Sequence, residues 1–112
     1  MVSTRTCIDT PRAGRYLGQL CEHLDHLRRS PDMHRQHPQQ GAAPDVRDVD
    51  WSADHGVINF GAGRVTLDAT DSQLMLHAEA ENADELRRLE SAVSGRLQTI
   101  GRRDGLAVPD WA

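Results

Sequence analysis

Two runs late in the chain, Arg64 to Ala69 and Gln73 to Glu79, alternate apolar and polar residues with a period of two. Val65, Leu67 and Ala69, then Leu74, Leu76 and Ala78, fall on one side of their strands, with polar neighbours between them. Successive side chains of a strand point to opposite faces, so the pattern demands an antiparallel sheet with one face covered and one wet. Thr70-Asp71-Ser72 supplies the turn between the runs. The rest of the chain must provide the cover.

Two stretches qualify. Thr10 to Arg29, TPRAGRYLGQLCEHLDHLRR, predicts a helix with Thr10 as N-cap and Pro11 at the first helical position. Ala13, Tyr16, Leu17, Leu20, Leu24 and Leu27 recur at three- and four-residue steps and make one apolar stripe. Arg28 and Arg29 suit the negative end of the helix dipole, and Ser30-Pro31 ends the element. A second helix starts at Asn82, with Glu85 three residues on to complete a capping box. Leu86, Leu89, Val93, Leu97 and Ile100 form its seam, and Arg102, Arg103 and Gly105 mark its end.

The remaining elements are shorter. Ser3 to Ile8 alternates Thr4, Thr6 and Ile8 and predicts a first strand. Val46 to Trp51 predicts a second, and Val57 to Phe60 a third. Ser52 to Gly56 reads as the turn between them, with Gly56 available for a positive φ. Gly61-Ala62-Gly63 turns into the fourth strand. Ser30 to Asp45 is a long, proline-rich loop with little apolar content, and 106–112 is a tail in which Val108 and Trp111 dock back. The order β-α-β-β-β-β-α gives a single α+β domain over residues 1–112, with one antiparallel sheet and both helices on one face. That succession is similar to one half of the TATA-binding-protein fold, an architectural likeness only.

Composition narrows the chemistry. The formal charge is −4, which argues against nucleic acid as a partner, since phosphate binding needs concentrated positive charge. All 13 basic residues are arginine, so a lysine Schiff base and a P-loop lysine are excluded. No apolar run is long enough to cross a membrane, Met1-Val2-Ser3 opens no signal-peptide pattern, and Cys7 and Cys21 fit a reducing compartment. A soluble cytoplasmic protein is the expectation.

Several segments together resemble a bacterial family catalogued as domain of unknown function 2218. They are Ala13, the run RYLGQLCEHLDH from Arg15 to His26, Asp54 to Phe60 followed by Gly63, ELRRLE with Val93 and Leu97, and a tail ending near Trp111. The resemblance implies a small soluble protein. It also implies a context of siderophore or iron use, because some relatives are similar to domains linked to siderophore-interacting flavin reductases. Gly18, Glu22 and Leu27 depart from the lysines that relatives commonly carry, and the Ser30–Asp45 loop is longer than usual. Arg96 stands where relatives often have histidine.

His23 and His26 lie three apart on one flank of the first helix, and His34 and His37 repeat the spacing in the loop. One reading brings these four imidazoles together on zinc or another divalent ion. The other makes them a solvated flank and loop composition. Cys21 cannot join His23 on one ion, because at about 100° per residue the two point in nearly opposite directions. It reads instead as a small buried hydrophobe without an activating helix N-terminus. Asp54-His55 reads as turn chemistry and not as half of an acid–base pair. Gly61-Ala62-Gly63 lacks the rest of a dinucleotide fingerprint, and Asp45, Asp48, Asp50 and Asp54 lack EF-hand spacing. No assembled catalytic set emerges, and no cofactor is expected beyond the alternative metal.

The parity that buries Leu74, Leu76 and Ala78 sends Met75, His77 and Glu79 to the other face. Arg64, Thr66 and Asp68 join them, as do Val57 and Asn59, in a register that sets Arg64 opposite His77. Such a face suits an anionic small molecule, a partner such as a siderophore-interacting flavoprotein, or a second copy in a homodimer. An ordinary solvated sheet face is the competing reading.

Overall fold

The computed structural model describes residues 1–29, 46–61, 63–106, 108 and 111, with residues 27–29 described by their backbone. The elements run β1 (Val2–Asp9), α1 (Ala13–Arg29), β2 (Val46–Trp51), β3 (His55–Phe60), β4 (Gly63–Ala69), β5 (Gln73–Ala80) and α2 (Ala83–Ile100). A single 3-10 turn, Arg102–Asp104, follows. The succession is the β-α-β-β-β-β-α that the hydrophobic periods predict. The region Ser30–Asp45 lies outside the described residues.

The five strands form one antiparallel sheet in the order β1-β5-β4-β3-β2. Chain order explains three of the four neighbours, since β2 to β5 are successive hairpins. The fourth, β1 beside β5, follows from α1: the helix lies across the sheet and carries the chain from one edge to the other.

Inward-facing strand residues and both helical stripes share one core. Ile8, Ile58, Val65, Leu67, Leu74, Leu76, Ala78 and Ala80 meet Leu17, Leu20 and Cys21 of α1 and Leu86, Leu89, Val93 and Leu97 of α2. Helix starts are fixed locally. Thr10 Oγ1 accepts from the Arg12 N–H at 3.1 Å, and the Asn82 side chain accepts from the Glu85 N–H at 2.9 Å. Thr4 Oγ1 donates to Glu90 at 2.6 Å, tying β1 to α2. Trp111 reaches Ser94 Oγ through its indole N–H at 2.8 Å, and Val108 packs on the core with it.

Two expectations need correction. The turn after β2 is tighter than Ser52 to Gly56. Ser52 N–H already bonds to the His55 carbonyl at 2.7 Å, so His55 and Gly56 enter β3 opposite Asp68 and Leu67. Gly56 has no positive φ. Glycine is needed there for space, because a Cβ would sit 3.0 Å from Cys21 Sγ and 3.3 Å from Leu17. Second, Arg64 stands opposite Glu79, and Thr66 opposite His77. Thr70 causes the slip: its N–H bonds to the Gln73 carbonyl at 2.8 Å and its hydroxyl accepts from Ser72 and Gln73 N–H, so Ala69 pairs with Leu74. A slip of two residues leaves every side chain on its predicted face.

Gly63 shows how tightly the last hairpin meets α2. A Cβ there would lie 2.1 Å from the Glu79 carbonyl oxygen and 2.8 Å from Leu89 Cδ1. Gly95, on the outer face of α2, has nothing within 4 Å of a built Cβ. Gly63→Ala is expected to lower unfolding free energy by about 1–3 kcal/mol through overpacking. Gly95→Ala is expected to raise it by about 0.4–1 kcal/mol by stiffening the unfolded chain. Urea melts of the two variants, moving in opposite directions from wild type, check the packing.

Candidate functional site

Strand parity and the observed register define the face opposite the helices. Cys7, Met75, Asp68 and His55 form one row across β1, β5, β4 and β3. Arg5, His77, Thr66 and Val57 form the next, and Ser3, Glu79, Arg64 and Asn59 the one beyond. The predicted face residues Val57, Asn59, Arg64, Thr66, Met75, His77 and Glu79 therefore share one surface. Met75 is 41% exposed while Leu74 and Leu76 beside it are at most 1% exposed, so the two sides of β5 differ as the alternation requires.

This surface is partly organised by polar pairs. His55 Nδ1 lies 2.7 Å from Asp68 Oδ1 across β3 and β4, and Asn59 Nδ2 donates to Asp48 Oδ1 at 2.9 Å across β3 and β2. His55 thus finds its carboxylate on the neighbouring strand, and adjacent Asp54 instead accepts from Ser52 Oγ in the turn at 3.4 Å. The carboxylates of Asp9, Asp48, Asp50, Asp68 and Glu79 outnumber the guanidiniums of Arg5 and Arg64 on the face. A concavity of about 500 Å³ sits over its β1-β5-β4 part, lined by Arg5, Cys7, Thr66, Asp68, Met75 and His77.

Arg5 and Cys7 were missed by sequence reasoning as members of this face. Their own alternation with Thr4, Thr6 and Ile8 gives the parity. Only the pairing of β1 with β5 gives the neighbours, and a helical crossover does not announce which edge it returns to.

The histidine flank is different. His23 and His26 line a second concavity with Gln19, Glu22 and Asp25, all on α1. Burial, with Arg96 and His26 nearby, pushes the His23 imidazole below its ordinary range. Its Nε2 is buried and, among the described residues, has no hydrogen-bond partner. His34 and His37 lie outside the described residues, and among those described no three His, Cys, Asp or Glu side chains are grouped to hold a metal.

A third cluster joins the start of α1 to the C-terminal turn. The Tyr16 hydroxyl donates to Asp104 Oδ2, and Arg12 Nη1 donates to both Asp104 oxygens at 3.0 Å. The bond from Tyr16, with Arg12 beside it, holds the Asp104 carboxyl below its usual range, and the same bond raises the Tyr16 phenol. The cluster acts as a clasp on the tail.

Among proteins of curated function, none is similar to the chain at a significant level. Residues 5–112 match the bacterial family described as an uncharacterized protein conserved in bacteria, domain of unknown function 2218. The chain belongs to that family. It is similar in fold to the NMR structure of PA4090 from Pseudomonas aeruginosa, with a TM-score of 0.65, 20% identity, and coverage of 100% of this chain and 96% of that one. No helix among the described residues is long and apolar enough to cross a membrane.

Two measurements check these sites. A depressed Asp104 contributes stability above the ordinary carboxylate pKa, and that contribution disappears as pH falls through the lower folded value. Protection of the Gly101 to Leu106 amides, taken relative to the intrinsic exchange rate at each pH, is therefore expected to fall in acid in wild type. In Tyr16→Phe that protection is expected to be lower already near neutrality. Cys21 is fully buried, and burial pushes its thiol up to about 12. Iodoacetamide at mildly alkaline pH is expected to label Cys7 alone in the native protein, and both cysteines in denaturant.

Proposed function

We propose that the chain is a small cytoplasmic binding or accessory module in siderophore or iron utilisation, working through the open face of its sheet. The observation that carries the reading is one-sided burial. Both helices spend their apolar stripes on one side of the sheet, and no described element covers the other side, where Met75 of β5 is exposed. The context is what the resemblance implies, some relatives being similar to domains linked to siderophore-interacting flavin reductases.

The charge of the face favours one occupant. Its surplus of carboxylates disfavours an anionic small molecule, including the negatively charged ferric siderophores, and complements a partner protein that presents arginine and lysine. A siderophore-interacting flavoprotein with a basic docking patch fits both the chemistry and the context. Among the described residues no nucleophile stands beside a base, which supports the reading of a module that acts by binding.

A histidine-based divalent-metal site remains a second reading on a single observation, the buried Nε2 of His23, which has no hydrogen-bond partner among the described residues. Elemental analysis of the untagged protein against a His23→Gln, His26→Gln variant tests it. Stoichiometric metal lost in the variant supports it, and metal-free wild type ends it.

The leading proposal is tested by titrating a purified siderophore-interacting flavoprotein into isotope-labelled protein in chelator-containing buffer. Expected are amide shifts centred on Val57, Thr66, His77 and Glu79, weakened by added salt and by Glu79→Arg. Shifts confined to the helices, or no shifts, would overturn the docking face.

A further inference from the structure

A thiol, a thioether and an imidazole share one corner of the open sheet face. Cys7 of β1 pairs directly with Met75 of β5, and His77 is the next residue of β5 on the same side. Directly opposed residues hold their Cβ atoms about 4.5–5.5 Å apart. Successive same-face residues of a strand are about 6.6 Å apart. A thiol, a thioether and an imidazole therefore start from one small triangle, and all three line the same concavity of about 500 Å³. Met75 is 41% exposed, so its flexible thioether is not committed to the core.

We infer that Cys7, Met75 and His77 form a binding site for a soft monovalent metal ion, with Cu(I) as the physiological ion and Ag(I) as its mimic. The identity of the third donor decides the class of metal. Among the described residues no three His, Cys, Asp or Glu side chains are grouped for a metal, so zinc finds no complete set here. The thioether completes the triad, and thioether with thiolate selects Cu(I) over harder ions. On binding, the Cys7 S–H bond breaks, its proton passes to solvent, and Sγ bonds the ion. One thiolate, one thioether and one neutral imidazole around a +1 ion give a neutral complex. The other charged side chains of the concavity, Arg5 and Asp68, are of opposite sign. This site needs no partner protein and stands apart from the docking proposal.

The test is anaerobic titration of the full chain with Cu(I) in competition with a chromogenic chelator, and with Ag(I) followed by NMR. Expected are one equivalent bound and shifts at the Met75 methyl and the His77 ring. Zn(II) is expected to bind more weakly in the same assay. Losing a donor should cost at least the roughly 10–100-fold that a lost outer-sphere partner costs a metal site. Cys7→Ser, Met75→Leu and His77→Gln are each expected to weaken binding by that much. Met75→Leu keeps the side-chain volume at an exposed position, so its fold is checked simply by circular dichroism. Unchanged affinity in Met75→Leu and His77→Gln would reduce the site to a lone thiol and overturn it. Binding retained in Cys7→Ser would overturn it as well. Because the flavoprotein titration is run with chelator present, a failure of either experiment leaves the other result intact.

Discussion

The alternation of β4 and β5 is the constraint on which the molecule depends. Val65, Leu67, Leu74, Leu76 and Ala78 are buried because two amphipathic helices lie over them, and no described element gives the intervening residues such cover. Burial of apolar surface is the main favourable term in folding, and the described residues offer two α-helices with which to obtain it. Spending both on one face builds a single core and commits the other face to solvent or to another molecule. The close approach at Gly63 and the narrow space at Gly56 are consequences of pressing both helices onto that one side.

Edges and ends are finished by polar chemistry. β2 closes one edge with Arg47, Asp48 and Asp50, charged residues that discourage pairing with a further strand. The Tyr16–Asp104–Arg12 clasp fastens the turn after α2 to the start of α1, so the tail that carries Trp111 is anchored at both of its sides. The open face is thereby presented on a sheet whose backbone is held from behind and at its margins. A docking patch and a metal triad both need that rigidity, because neither can spend binding energy on ordering its own scaffold.

Most of the architecture was legible in the residues because period and capping are local. Leu74, Leu76 and Ala78 announce their face, and Asn82 with Glu85 announces a helix start. Thr10 marks the approach to α1, its hydroxyl accepting from the Arg12 N–H in the turn before Ala13, so the helix starts later than Pro11. What was not legible depends on geometry between elements. The hairpin slip that puts Glu79 opposite Arg64 comes from Thr70 hydroxyl bonds in the turn, which spacing alone does not encode. The His55–Asp68 pair was hidden because Asp54 is the nearer carboxylate in sequence, whereas strand pairing brings Asp68 to the imidazole. Spacing gives Cys7 no neighbour, and only the pairing of β1 with β5 sets it opposite Met75. The four-histidine hypothesis rests half on His34 and His37, which lie outside the described residues, so the fold speaks only to His23 and His26.

Solvent paramagnetic relaxation of side-chain resonances, measured with a neutral soluble gadolinium chelate, tests one-sided burial most directly. Strong broadening of the Met75 methyl and the His77 ring, with the methyls of Leu67, Leu74 and Leu76 unaffected, is the predicted result. Met75 and His77 protected as fully as Leu76 in dilute monomeric protein would contradict the account, because the sheet would then be covered on both sides.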